Sequence, residues 1–180
     1  MRLDMNLPVV VVTLLAAAVL QDAIPATPGF PVKICFLTSV ALYHAMTKPL
    51  PVALAALVWA GGLTDALGGL PLLLTFGFLV LMFGAVRMMQ RVFLEATLVQ
   101  GTLLIACVAV AQAVWTRLSM EGAGGPFFAW DTLVTVGYAV PAGMVAGLAG
   151  FGMGGLADRV SGNVKPLKED HGILWAETDR

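Results

Sequence analysis

Charge is what this sequence has least of. Lysine and arginine together number 10, and aspartate and glutamate 11, in 180 residues. At 12% charged and 59% hydrophobic, the chain departs from soluble domains, which run near 25% charged and 45–50% apolar. That shortage excludes a solvated globular surface. It also leaves too few cations for a phosphate-contacting face, and the net charge of −1 gives no pull toward nucleic acid. Cysteine is nearly absent: Cys35 and Cys107 lie inside apolar runs without CxxC spacing, so nothing points to a disulfide or a thiolate metal site and both read as small buried hydrophobes. Histidine occurs twice. His44 has no second ligand nearby and reads as a capped residue at a membrane interface, while His171 lies in a polar tail.

Long apolar runs dominate what is present. A membrane-spanning helix needs about 20 mainly apolar residues. Six segments approach this: residues 7–24, 30–46, 49–65, 71–86, 97–115 and 132–152. The second and fourth are short, and Lys33 and Arg87 could extend them by snorkelling. Pro49 and Pro71 suit a first helical turn, where the missing N–H costs nothing. "PATPGFP" (25–31) and "SMEGAGGP" (119–126) are connectors by composition. Trp59, Trp115 and Trp130 suit membrane interfaces, with Trp59 deeper.

The expected fold is therefore an all-α integral membrane protein, six transmembrane helices in one bundle over residues 1–155, followed by a polar cytoplasmic tail over 156–180 that reads as disordered. Orientation follows from the basic residues. With the N-terminus in the cytoplasm, Arg2, Lys48, Arg87, Arg91, Arg159, Lys165, Lys168 and Arg180 face inward, and only Lys33 and Arg117 face outward. Both termini are then cytoplasmic. A cleaved signal peptide at the first segment is the competing reading, but Asp4 spoils its positive start and "QDAIPA" offers no small-x-small cleavage site.

Motifs that suggest chemistry mostly dissolve on inspection. "GFGMGG" contains Gly150-x-Gly152-x-x-Gly155, but a dinucleotide fingerprint needs a preceding strand, and here it ends an apolar helix. The informative feature is spacing. Ala142, Ala146, Gly150 and Gly154 recur every four residues beside a parallel row of Gly143 and Gly147, a pattern that lets membrane helices approach closely, within the bundle or against a partner. "VRMMQRVFLEATLVQG" (86–101) places Arg87, Gln90, Arg91 and Glu95 on one helical face, which suits a cationic elbow on the lipid surface or a cytoplasmic docking surface. Asp65 in "AGGLTDALGGLP" lacks the context of an intramembrane aspartyl protease and the aspartate series of a CDP-alcohol phosphotransferase. A carboxylate at a helix C-terminus is electrostatically misplaced, and at mid-membrane it would cost about 2.5–3.5 kcal/mol on insertion scales. No Ser/His/Asp set, P-loop or metal-ligand cluster composes a reaction centre, so the expectation is a non-enzymatic protein without cofactor.

The stretch from about Pro31 to Arg91 resembles MreD, a family of bacterial rod-shape-determining membrane proteins. The resemblance rests on "FPVKICFLTSVALYHAM", then "KPLPVALAALVWAGGLTDALGG", then an apolar helix ending in Arg. Its elements are a proline-polar entry (Pro31, Lys33), an apolar run ending Leu42-Tyr43, a basic turn at Lys48, and a helix closing on Gly61 or Gly62 with Asp65. Phe30 stands where the family often has Arg, and Leu70-Pro71 where it often has Leu-Gly. The resemblance implies a structural role for the Gly-Asp element: Asp65 would accept hydrogen bonds from N–H groups of the following loop, or pair with Lys33. It further implies a scaffold in the bacterial inner membrane, partnering an MreC-like single-span protein and, through it, MreB filaments, a RodA-like polymerase and a penicillin-binding transpeptidase, to organise lateral peptidoglycan synthesis. The alternative is a substrate-binding subunit of an energy-coupling-factor vitamin transporter, a fold that MreD resembles. The Ala-rich first and third helices allow such docking, while the scarcity of polar residues in the outward half argues against a vitamin pocket.

Overall fold

The computed structural model describes residues 6–24, 32–71, 73–90, 98–121 and 130–162, and among these the chain is wholly helical. Its elements are α1 (Asn6–Ala23), α2 (Phe36–Thr47), α3 (Leu50–Gly68), α4 (Leu74–Gln90), α5 (Leu98–Glu121) and α6 (Trp130–Val160). Three of them, α3, α5 and α6, are long and apolar enough to cross a membrane; α1 and α4 are apolar but shorter. The outward surface is greasy, with Val12, Val19, Val58, Trp59, Leu81, Leu103 and Leu148 all exposed. Water would not tolerate so continuous an apolar exterior.

The second segment departs furthest from expectation. In place of a span over 30–46, α2 has 12 residues, about 18 Å at 1.5 Å per residue, well short of a hydrocarbon core of about 30 Å. Residues 33–35 are not helical, and Pro49 biases Lys48 away from helical geometry, so α2 ends at Thr47. The helix is instead the axis of the bundle. Every residue from Phe36 to Met46 is buried, and α1, α3, α4 and α6 pack around it.

Helix α3 starts behind Pro49 with Pro51 in its first turn, and ends where Gly69 adopts the left-handed conformation at φ 62° and donates its N–H to the Asp65 carbonyl. It runs three residues past the expected end at 65, so Asp65 sits inside the last turn. Helix α4 continues through Arg87 to Gln90, which makes the first part of the expected elbow an extension of that helix; Arg91 and Glu95 lie outside the described residues. Helix α6 continues to Val160, so its end moves past the expected boundary at 155.

Small residues set the closest approach. A Cβ on Gly143 would lie 2.7 Å from Ala106 Cα, and one on Gly147 2.7 Å from Thr102 Cα, so α6 and α5 meet backbone to backbone. Lower on α6, Gly150 faces Ser39 and Gly154 faces the Tyr43 ring of α2. Ala142 and Ala146 are buried on the same side. All six small residues of the row are therefore spent inside the bundle. Among lipid tails apolar burial drives little association, and such close contact is what holds helices together.

Helix α1 belongs to this core. Val10, Leu14 and Ala17 are buried, as are the polar side chains of Thr13 and Gln21. A cleaved leader would leave that stripe, and the groups of α2 that it satisfies, uncovered.

Candidate functional site

Polar side chains concentrate at the two ends of the bundle. At the first, α1 and α3 end where α2 and α4 begin. Asp65 is fully buried, and its carboxylate accepts the Thr75 N–H, 3.0 Å to Oδ1 and 3.3 Å to Oδ2. Thr75 is the second residue of α4, whose N–H has no partner within its own helix. A carboxylate misplaced at the C-terminus of its own helix thereby caps the N-terminus of the next, where negative charge is favoured by about 0.3–1 kcal/mol and up to about 2 in partly buried settings. Gly61, one turn earlier, makes room: a Cβ there would lie 2.8 Å from Phe76 Cα. Gly62 faces open space. The turn between the helices is tight enough to hold Leu73 at φ 74°, a left-handed conformation that L side chains resist.

Lys33 does not pair with Asp65. Its ammonium donates to the Leu67 carbonyl at 3.3 Å, one of the carbonyls that α3 leaves unpaired at its C-terminus. The physical reason is the one that applies to Asp65: each charge has found the helix end of opposite polarity. Pro31 lies outside the described residues. A second side chain of the same kind comes from α1, where Gln21 Oε1 accepts the Leu37 N–H at the start of α2 at 3.1 Å.

At the opposite end stands the ion pair that the sequence did not disclose. Asp158, in the last turn of α6, accepts from Lys48 Nζ at 2.5 Å through Oδ1 and from the Tyr43 hydroxyl at 2.8 Å through Oδ2. Lys48 and Asp158 are both buried. Arg87 Nη2 donates to the Lys48 carbonyl at 3.2 Å, and its guanidinium lies 5.3 Å from the Phe83 ring centroid. Arg87 thus ties the α2–α3 turn to α4; Arg91, its expected companion at a docking surface, lies outside the described residues.

Between the two ends α2 carries a polar row. His44, expected at an interface, is fully buried, with Nε2 2.7 Å from Thr13 Oγ1. Thr13 Oγ1 lies 2.8 Å from the Val9 carbonyl and 3.0 Å from that of Val10. The hydroxyl has one proton to donate, so when it goes to a carbonyl the His44 Nε2–H points to Thr13. Thr38 donates to Gln112 Oε1 of α5 at 2.9 Å. Sequence reasoning passed over Thr13, Gln21, Gln112 and Asp158. The findable signal was periodic: Thr13, Ala17 and Gln21 recur every four residues, as an inward helix face would.

Chemically, this arrangement ties helices together. Its carboxylates are already engaged by a backbone N–H or by an ammonium and a phenol. Among the described residues no three His, Cys, Asp or Glu side chains group as a metal site would require. The fold and these contacts define the class: an all-α protein with helices able to cross a membrane, organised about a buried central helix. Comparison with family models, curated proteins and solved structures finds no match.

Proposed function

We propose that this chain is a multi-pass scaffold of the bacterial inner membrane, of the MreD kind, that organises lateral peptidoglycan synthesis together with an MreC-like single-span partner. The observation that carries the proposal is the grouping of the residues on which the resemblance rests. Lys33, Gly61 and Asp65 gather around the α3–α4 turn, and Tyr43 and Lys48 tie the end of α2 to α6 at the opposite end of the bundle. All act by fastening helices, the structural role that the resemblance implies.

In this reading all six helices are membrane passes and both termini are cytoplasmic. The shortness of α2 is compatible with six passes, because non-helical backbone at membrane depth is tolerated when surrounded by protein, and α2 is surrounded. The basic residues Lys48, Arg87 and Arg159 then lie on the cytoplasmic side, and Lys33 on the other.

The test is affinity capture of the tagged chain from native membranes in mild detergent, with identification of what co-purifies. A single-span coiled-coil protein, with or without a polymerase and transpeptidase, supports the scaffold. A coupling membrane subunit with two ATPases refutes it in favour of vitamin transport. Alkaline phosphatase fusions after residues 48 and 90 should be inactive and one after residue 70 active; the reverse would overturn the orientation.

A further inference from the structure

Cations outnumber acids at the end of the bundle that carries the α2–α3 turn. Among the described residues that end holds Lys48, Arg87 and Arg159 against Asp158 alone, and Lys48 takes Asp158 for itself. Arg87 is left half-buried, with no carboxylate partner among the described residues. Two contacts fix its guanidinium: Nη2 donates to the Lys48 carbonyl at 3.2 Å, and the group lies 5.3 Å from the Phe83 ring centroid. Only one N–H of the guanidinium is thereby used. Nε is sealed within the protein without an acceptor, whereas Nη1 has no partner and is open to the surroundings. The fork is held in place with its outer edge unused. What surrounds it is apolar. Pro49, Leu50 and Pro51 follow the carbonyl that Arg87 holds, Met88 follows Arg87 itself, and all four are exposed. A soluble anion gains nothing from such a rim; a lipid does, because its chains cover it.

We propose that Arg87 is a binding site for the phosphate of one anionic phospholipid, seated at the α2–α3 turn with its acyl chains against the apolar residues around it. A guanidinium meets phosphate through two parallel N–H···O bonds, a geometry that an ammonium cannot match. Here the fork is fixed before the lipid arrives, so little side-chain freedom is lost on binding. The Lys48–Asp158 pair sharpens the site. It occupies the only described carboxylate at this end, so the headgroup meets a free cation and not an ion pair. A cation without a counter-ion is costly in a membrane, and the anionic lipids of the cytoplasmic leaflet supply one. The site needs the membrane orientation proposed above but not the scaffold's partners, so a failed capture of the single-span protein and a failed lipid measurement are separate results.

The test uses the full chain in a neutral maltoside detergent and native mass spectrometry, with phosphatidylglycerol and phosphatidylcholine of the same chains titrated separately. Wild type should hold one phosphatidylglycerol about tenfold or more tightly than phosphatidylcholine, the worth of one charge-assisted hydrogen bond. Arg87→Gln should abolish that preference. Arg159→Gln, which removes the same charge from an exposed position at the same end, should keep it. Equal affinity of wild type for the two lipids overturns the site, and so does an equal loss in both variants, which would reduce the effect to diffuse charge. Glycerol phosphate at the same concentration should leave the lipid bound; displacement would make a soluble phosphate ester the ligand and overturn the lipid assignment. If Arg87→Gln is not recovered folded, Arg87→Lys, which keeps the charge and loses the fork, is read the same way: a several-fold weaker preference supports the site, and an unchanged one overturns it.

Discussion

Replacing Asp65 tests whether a carboxylate on one helix holds the start of the next. Asp65→Asn preserves shape and one acceptor for the Thr75 N–H, but removes the charge and leaves a buried amide NH2 to satisfy. A hydrogen bond to a charged acceptor is worth about 1.5–3 kcal/mol, against about 0.5–1.5 for a neutral one. The expected loss is therefore about 1–2 kcal/mol. Asp65→Ala leaves the Thr75 N–H unpartnered in the interior and should lose about 2–4 kcal/mol, the charged bond together with part of the penalty for a buried orphan donor. For a chain of this size about 1 kcal/mol moves Tm by roughly 2–4 °C, so Asn should lower it by about 2–8 °C and Ala by more. The assay is thermal loss of the monodisperse peak in detergent, followed by fluorescence-detected size exclusion. Lys33→Met supplies the control. Lys33 bonds the Leu67 carbonyl and not Asp65, so the two substitutions should add within about 0.5 kcal/mol. A coupling energy of about 1 kcal/mol or more would mean that the two charges pair directly, and the capping argument would fail. It would fail equally if Asn and wild type melted together.

At the other end, Lys48→Met should destabilise by about 3–5 kcal/mol by stranding Asp158, and adding Asp158→Leu should recover most of that loss in the same melting assay. Gly143→Ala drives a methyl into the Ala106 backbone and should cost about 1–3 kcal/mol; Gly62→Ala, facing open space, is the matched control and should cost none of it. Thr13→Val removes the partner of His44 Nε2 and should cost about 1–3 kcal/mol, read as a lower Tm. Leu73→Gly relieves the left-handed strain and should stabilise by about 1 kcal/mol, offset in part by the added freedom of the unfolded chain.

Apolar runs and prolines made most helices legible, with starts and ends displaced by a few residues. The second segment misled because its composition is that of a span: nothing in "FLTSVALYHAM" distinguishes a helix surrounded by protein from one facing lipid. That distinction is a tertiary fact. The role of Asp65 was half legible, since capping of the following loop's N–H groups and pairing with Lys33 fitted the sequence equally, and only geometry separates them. Asp158 was hidden by its neighbours, for a lone acid ahead of Arg159 and a polar tail reads as the start of that tail. Its partners Tyr43 and Lys48 stand more than 100 residues away, beyond the reach of any local pattern. The row from Ala142 to Gly154 was legible as a close-packing face, but not as one shared between two helices, α5 above and α2 below.

The order of synthesis gives the buried ion pair a second meaning. Lys48 leaves the ribosome long before Asp158, which arrives on the last helix. Until then the nascent bundle carries an ammonium without its counter-ion, beside a tyrosine hydroxyl without its acceptor. A chain truncated before α6 would present a buried ammonium and a phenol without the carboxylate that both require. Placement of α6 supplies that carboxylate, so one contact joins an early part of the chain to a late one.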